Sequence, residues 1–467
     1  MGKKRLPLIK EVTITDIAAQ GKALTRIDNF VTFVQNAIPG DVVDIQVFRR
    51  RKSYQESYAV SFHSLSDKRT TPFCEHFGIC GGCRWQDLKY SEQLCYKQKE
   101  VSDIFSRIGH IPFPPPEPII GSKSEKFYRN KLEFTFTNWR WLSPEEIRKG
   151  EEITLKDGLG FHIRSKFDKI VDLKNCYLQS EPSNSIRQSI RDFAVNNSFS
   201  FFNLMNQTGF LRNLIIRTSS TGEVLVALIF HENDPVSIHN ILSFIQNTHP
   251  QVTSLMFAIN QKANDAIYDL DFILFSGKDH IIEKMENQEF RIGPKSFFQT
   301  NSQQGLVLYQ WVRENAGLTG SETVYDLYTG TGTIAIFLAR LARKVIGIES
   351  VDEAVRDATL NSLLNNMTNT SFICSDIRDV FNEELFRKEG YPDVIITDPP
   401  RAGMHPEVVQ SILEASPQRI IYVSCNPATQ ARDINLLSQN YKIVRIQPLD
   451  MFPQTYHVEN LVLLEKN

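Results

Sequence analysis

Three sets of residues in this chain have types and spacings that can do chemistry. The first is Cys425, within Ser424-Cys425-Asn426-Pro427-Ala428-Thr429. The preceding run, Arg419-Ile-Ile-Tyr-Val, reads as a β-strand, which puts the thiol at a strand tip. A cysteine so placed is a candidate nucleophile, although a lone cysteine is also commonly a small buried hydrophobe. The second set is Asp450-Met-Phe-Pro453-Gln-Thr455-Tyr-His457-Val-Glu459. Here a carboxylate and an imidazole lie two residues apart, and either could carry a proton. The third is Cys74-x5-Cys80-Gly81-Gly82-Cys83, three thiols in one short stretch with glycines that permit a tight turn. That pattern binds zinc or an iron–sulfur cluster and needs a fourth ligand, for which Cys95 and Cys176 are the candidates.

The elements around Cys425 alternate regularly from about residue 290 onward. TVYDLYT, KVIGIES, DVIITDPP, RIIYVSCNP and KIVRIQPLD read as strands, separated by helical stretches such as TIAIFLARLA and DEAVRDATLNSLLNN. Such repetition predicts a mainly parallel sheet with helices on both faces. Asp326-Leu-Tyr328-Thr-Gly330-Thr-Gly332 follows the first strand and opens a helix, so backbone can approach a ligand closely there. The spacing is not the full G-x-G-x-x-G pyrophosphate fingerprint. Glu349 ends the second strand, where it could accept from ribose hydroxyls; an ordinary solvated acid would look the same. Asp376 follows the third strand, where it could accept from an adenine amino group, and Asp398-Pro-Pro-Arg401-Ala-Gly403 follows the fourth. Carboxyl ends of strands are where open α/β sheets bind ligands. Together these features indicate an adenosine-bearing cofactor, in an order that looks like a class I S-adenosylmethionine methyltransferase.

A thiol and a separate acid/base group match one methylation in particular. C5 of uracil is a poor carbon nucleophile. Addition of a thiolate to C6 turns the ring into an enolate that can attack a methyl donor through C5. A base must then remove the C5 proton so that the thiolate can leave. With SFFQTN at 296–301, the motifs SCNPAT, DPPRAG and DMFPxTxHVE resemble the RNA uracil-5-methyltransferase family over nearly the whole chain. The resemblance implies Cys425 as nucleophile and Glu459 as base. It implies cofactor contacts from Gln299, Tyr328, Glu349, Asp376 and Asp398, and an aromatic, Phe297, beside the cofactor and target base. Tyr328-Thr329-Gly330 departs from the Phe-Cys-Gly of some relatives but keeps the aromatic. In iron–sulfur members the first three ligands lie in CxxxxxCGGC and the fourth follows V-D-x-x-x-C, matched here by Val171-Asp172-Leu-Lys-Asn-Cys176. The resemblance thus implies a four-iron, four-sulfur cluster (4Fe-4S) on Cys74, Cys80, Cys83 and Cys176, and leaves Cys95 and Cys374 with structural roles.

The rest of the chain fits three parts. Residues 7–64 read as five short strands broken by Gly21, Asp28-Asn29 and Pro39-Gly40-Asp41, which suits a small OB-like barrel. This barrel resembles a TRAM domain, an RNA-binding module. Residues 65–115 carry the cysteine group, a helical stretch from Tyr90 to Gly109, and the start of the proline run 112–118, expected to be a stiff, extended connector. Strands and helices then mix to about residue 285. The expected fold is therefore multidomain: an OB-like TRAM barrel (1–65), a central α+β domain with an iron–sulfur cluster (66–288), and a Rossmann-like α/β methyltransferase (289–467).

Composition is compatible with this. Hydrophobic residues make up 41% and charged residues 23%, with a net charge of -2, so bulk charge does not announce a nucleic-acid partner. The N-terminal residues are locally basic, with Arg49-Arg50-Arg51-Lys52 in one run that is either a solvated face or an RNA contact. No apolar stretch is long enough to span a bilayer and no signal peptide is seen, so a cytoplasmic monomer without a membrane partner is expected. The expected substrate is a structured RNA. Ribosomal 23S RNA is preferred because the TRAM-plus-cluster layout resembles the rRNA branch, and the tRNA T-loop is the alternative. Two other classes compete. An amino-group N-methyltransferase would need neither Cys425 nor Glu459 and typically has an aromatic where Arg401 stands; a catalytically idle RNA-assembly factor would not need them either.

Overall fold

The computed structural model describes residues 6–109, 112–149, 156–164 and 166–467. The basic residues Lys3, Lys4 and Arg5 lie outside that set.

The N-terminal part is a six-stranded sheet, one strand more than the five expected, because Asp16–Ala18 forms a short strand of its own. Leu8–Thr13 pairs with Val42–Arg50, and Asp16–Ala18 pairs with Lys22–Ile27. One continuous stretch, residues 8–18, thus supplies both edges of the sheet. Alternation explains the inward face: Val43, Ile45 and Val47 are buried, and the strand then runs out to exposed Arg49 and Arg50.

The helix Tyr90–Ile104 leaves this sheet and crosses to the C-terminal domain. Its buried stripe is partly polar, with Gln93 and Lys97 facing inward. The proline run beyond it is not a free spacer. It is laid along the C-terminal edge strand, with Glu117 N–H donating to Ile446 O at 2.8 Å and Arg445 Nε bound to Glu117 at 2.6 Å. That contact covers the outer edge of a strand paired on its inner side only.

The central part is built on a seven-stranded sheet, in the order Ile273–Gly277, Val252–Ile259, Val224–Phe230, Leu211–Thr218, Lys131–Thr137, Gly158–His162, Ile170–Asp172. Only the Val224–Phe230 and Val252–Ile259 pair is parallel, joined by the crossover helix Pro235–Thr248. That helix packs on Ser183–Asn196 through Phe193 and Phe244, stacked at 4.0 Å.

The C-terminal sheet has seven strands: β1 Thr323–Leu327, β2 Lys344–Glu349, β3 Thr370–Cys374, β4 Val394–Thr397, β5 Arg419–Ser424, β6 Tyr441–Leu449 and β7 Glu459–Lys466. Their order is β3-β2-β1-β4-β5-β7-β6, with β7 antiparallel to its neighbours. β1 and β4 are buried throughout, as expected for a sheet covered on both faces. The order reverses between β1 and β4, the switch point where such sheets take ligands. Among the described residues, no helix is long and apolar enough to cross a membrane.

Candidate active site

The Gly-rich turn after β1 is braced from below. Asp326 is buried and accepts from the Thr329 hydroxyl at 2.5 Å and the Ala335 N–H at 3.2 Å. The backbone passes through left-handed conformations at Tyr328 (φ 62), Gly330 (φ 55) and Gly332 (φ 77). Glycine at 332 is required twice over: besides its φ, a Cβ there would lie 2.9 Å from the Ala358 Cβ. Glu349 ends β2 with one oxygen 3.2 Å from the Gly330 N–H and the other accepting from Ser350 and Val351 N–H groups. Glu349, Gly330 and Phe297 line one cavity of about 130 Å³. Tyr328 is half-buried, and burial pushes its phenol up to about 12.

The other expected cofactor residues have more varied surroundings. Asp376 follows β3 but is already engaged: it caps the next helix and pairs with Arg378 at 2.6 Å, which holds its carboxyl down at about 2. Gln299 is buried beside Asn130, whose side-chain amide donates to the Gln299 carbonyl at 2.9 Å. Asp398 follows β4 and is half-buried. Desolvation, with Asp326 nearby, raises its carboxyl to about 7.

Cys425 extends from the end of β5 into a turn pinned by its neighbours. Asn426 caps the helix Pro427–Leu437, and its side-chain amide donates to the Arg401 carbonyl at 2.9 Å. The Thr429 hydroxyl donates to the same carbonyl at 3.3 Å. SCNPAT and DPPRAG are thus locked together. Ser424 on β5 pairs with Asn460 on β7, which sets Cys425 beside Glu459. Burial raises the Cys425 thiol to about 11, with the charges of Glu459 and Asp398 acting the same way and Arg401 opposing them. Glu459 is buried and pushed well above the usual carboxylate range by desolvation and by Asp398, again opposed by Arg401. His457 is driven down to about 4 by burial and by surrounding cations including Arg401 and Arg129.

Several residues in this neighbourhood were not singled out by sequence. Arg401 entered only as a non-aromatic residue after two prolines, yet its charge acts on Cys425, Glu459 and His457 alike. Asp433 accepts from the Met404 N–H at 2.8 Å and the Tyr422 hydroxyl at 2.7 Å, so it fixes the DPPRAG loop from behind. The loop before Glu459 is held by a buried Lys97–Asp450 ion pair at 2.5 Å, joined by the Tyr90 hydroxyl at 2.8 Å. A lysine in the buried stripe of a helix was the available signal for that pair. A cavity of about 410 Å³ opens between the central sheet and Phe297, lined by Arg129, Lys131, Arg217 and Lys295.

The cysteines divide into two groups. Cys74, Cys80, Cys83 and Cys176 line one small cavity whose other walls include Phe77, Phe161, Leu173 and Leu178. The loop is tied down by its backbone, with Gly81 N–H donating to His162 O at 2.9 Å. Cys176 is held by Asn184, which accepts its N–H at 2.8 Å. Among the described residues, no three His, Cys, Asp or Glu side chains are gathered as the ligands of a single metal ion would be. Cys95 and Cys374, given structural roles by the resemblance, are both exposed.

Comparison with known proteins shows the family. Residues 213–467 match the family model of tRNA (Uracil-5-)-methyltransferase. A relative from Bacteroides thetaiotaomicron, described as an RNA methyltransferase, is 54% identical over 452 residues, covering 96% of this chain and 100% of the relative. The chain belongs to the tRNA (Uracil-5-)-methyltransferase family. It is an RNA uracil-5-methyltransferase with an S-adenosylmethionine-binding fold. A second member, from Porphyromonas gingivalis, is 49% identical over 461 residues, covering 97% of this chain and 99% of the relative. Among solved structures, the Pyrococcus abyssi tRNA (uracil-54, C5)-methyltransferase in complex with S-adenosyl-L-homocysteine is 29% identical. It covers 97% of this chain and 100% of its own, with a TM-score of 0.75.

Proposed function

We infer that this methyltransferase modifies one uridine of 23S rRNA through a covalent bond between Cys425 and C6 of the base. The observation that carries the covalent route is the meeting of a thiol from the end of β5 and a buried carboxylate from the start of β7, with Asp398 and Arg401 acting on both. The preference for 23S rRNA rests on the resemblance of the barrel-plus-cysteine layout to the rRNA branch. S-adenosylmethionine supplies an electrophilic methyl group. The Cys425 thiolate adds to C6, and Arg401 favours that ionised form. C5 then takes the methyl and S-adenosylhomocysteine departs. Glu459 removes the C5 proton, the C6–S bond breaks, and the thiolate is restored. The uridine must leave its stack to reach the thiol, and the basic cavity beside Phe297 offers cations for the backbone of a flipped nucleotide. Gln299, Tyr328, Glu349, Asp376 and Asp398 are proposed to hold the cofactor. Asp376 can take the adenine only by sharing its carboxylate with Arg378.

The four-thiol cavity fits an iron–sulfur cluster in the chemistry of its donors and in its apolar walls. Cys74, Cys80, Cys83 and Cys176 would hold it, tying the cysteine loop to the central sheet. Protein purified without oxygen is expected to be brown, with about four irons per chain. Cys176→Ser should lose the metal and Cys95→Ser should keep it. Colourless protein with one zinc would replace the cluster with a single ion.

The tRNA T-loop is the second reading, favoured by the Pyrococcus abyssi structure, whose description names a tRNA (uracil-54, C5)-methyltransferase. Ribosomal and transfer RNA from a strain lacking the enzyme decides between the two. Labelled methyl groups should enter 23S rRNA at one uridine. Labelling confined to tRNA would establish the second reading, and transfer to neither would overturn both.

A further inference from the structure

A further cavity, about 500 Å³, opens between the N-terminal sheet and the cysteine loop. Its volume is within the usual range for a small-ligand site. Lys22 and Phe33 come from the sheet, Phe77 and Arg84 from the cysteine loop, Arg164 from beyond the strand Gly158–His162, and Tyr456 from the terminal motif. Gly21 sets this junction. It has φ +69, and a Cβ there would lie 2.8 Å from the Tyr456 Cβ. The Trp85 indole N–H donates to the Gly21 carbonyl at 3.4 Å.

The charges in this cavity are not balanced from within. Its two carboxylates are committed elsewhere, Glu56 to Arg49 at 3.4 Å and Asp87 to Arg69 at 3.0 Å. Among the described residues, neither Arg84 nor Lys22 has a carboxylate partner. Arg164 donates to the Cys83 carbonyl at 2.5 Å and has Asp87 within electrostatic reach, so the cations left over are Lys22 and Arg84. Two of the cations lie near aromatic rings: Lys22 is 5.7 Å from the Phe33 centroid and Arg164 is 5.4 Å from that of Phe77. The cavity also touches the catalytic loop. The Tyr456 ring lies 4.3 Å from the His457 ring, and Arg84 N–H donates to Gln454 O at 2.7 Å.

Unpaired cations interleaved with aromatic rings are what a single strand of nucleic acid needs, one for its phosphates and the other for its bases. We propose that this cavity is a nucleotide subsite, which holds a single-stranded RNA residue flanking the uridine delivered to Cys425. An acidic peptide would use the cations but leave the rings without a role. The proposal rests on the RNA reading above and adds to it where the flanking strand runs.

The test uses the full chain and a fluorescein-labelled single-stranded oligouridylate of about twelve nucleotides, comparable to the site sizes of such surfaces. Lys22→Gln with Arg84→Gln is the variant, since both side chains are exposed and the Arg84 backbone bond survives. Affinity should fall about tenfold, and the slope of log affinity against log salt should become shallower by about 0.7 for each phosphate no longer neutralised. Lys22→Arg with Arg84→Lys should restore both. With RNA substrate, KM should rise by the same factor while kcat stays within about twofold. Unchanged affinity and salt slope would overturn the subsite and leave the uridine reading intact. A fall in kcat alone would also overturn it, since Arg84 would then act only through the catalytic loop. Failure of the wild type to methylate any RNA would instead remove the reading beneath it, and the binding curves separate the two failures.

Discussion

Cys425→Ala should abolish methyl transfer, with a loss of about 10⁴-fold or more, as removal of an essential nucleophile commonly gives. The loss should come from chemistry rather than folding. The backbone of this turn is pinned by bonds from Ser424, Asn426 and Thr429, and the sulfur itself interacts with the Arg401 side chain. Melting temperature and S-adenosylmethionine affinity should therefore stay close to wild type. RNA carrying 5-fluorouridine at the target should trap the wild type as a covalent complex, because fluorine at C5 cannot leave as a proton does. The Ala variant should form none. The free thiol, held up at about 11 by burial and its acidic neighbours, is mostly protonated at neutral pH. Its reactive form is the deprotonated one, so single-turnover rates should climb as pH rises through the range of about 7 to 9. Ordinary turnover by Cys425→Ala would rule out the covalent route.

Glu459→Gln should separate the last step from the first two. The thiol can still add to C6 and the methyl can still move, but the C5 proton has no acceptor and elimination stalls. A methylated RNA–protein adduct should then accumulate on ordinary uridine, visible on denaturing gels with a labelled methyl donor. His457 is the rival base, and the surroundings of the two decide between them. Burial and nearby cations hold His457 at about 4, which makes it a weak proton acceptor. Burial and Asp398 push Glu459 well above its usual range, so its carboxylate is the stronger base once ionised. An adduct seen only with His457→Ala would reverse the assignment. The same shift has a stability consequence. A carboxyl whose folded pKa is raised costs stability above its unfolded pKa of about 4.3, since only the unfolded chain ionises freely there. Glu459→Gln removes that cost, so the ligand-free variant should gain more in melting temperature at pH 8 than at pH 5.

Much of the site was legible in the residues. Cys425 and Glu459 stood out because their chemistry is complementary and each lies next to a readable strand. The acids of the nucleotide fold stood out because parallel strands deliver side chains to one end of a sheet, and the strands alternate visibly with helices. The cysteine loop and Cys176 were matched by motif, although about ninety residues separate them in the chain, and they line one cavity.

What the sequence by itself determined about this protein was the order of its parts, the strand that ends at each motif, and the residue types able to react. Those are local properties, set by hydrophobic period, turn residues and side-chain chemistry. The tertiary structure alone decided which charges face which. It placed Arg401 among Cys425, Glu459 and His457, gave Asp376 to Arg378, and buried Lys97 against Asp450 across 353 residues of sequence. It also laid the proline run on an edge strand and left Cys95 and Cys374 exposed. The reason is physical. Pairing energies and pKa shifts depend on distance and desolvation through space, and residues far apart in sequence acquire both only when separate sheets are packed together.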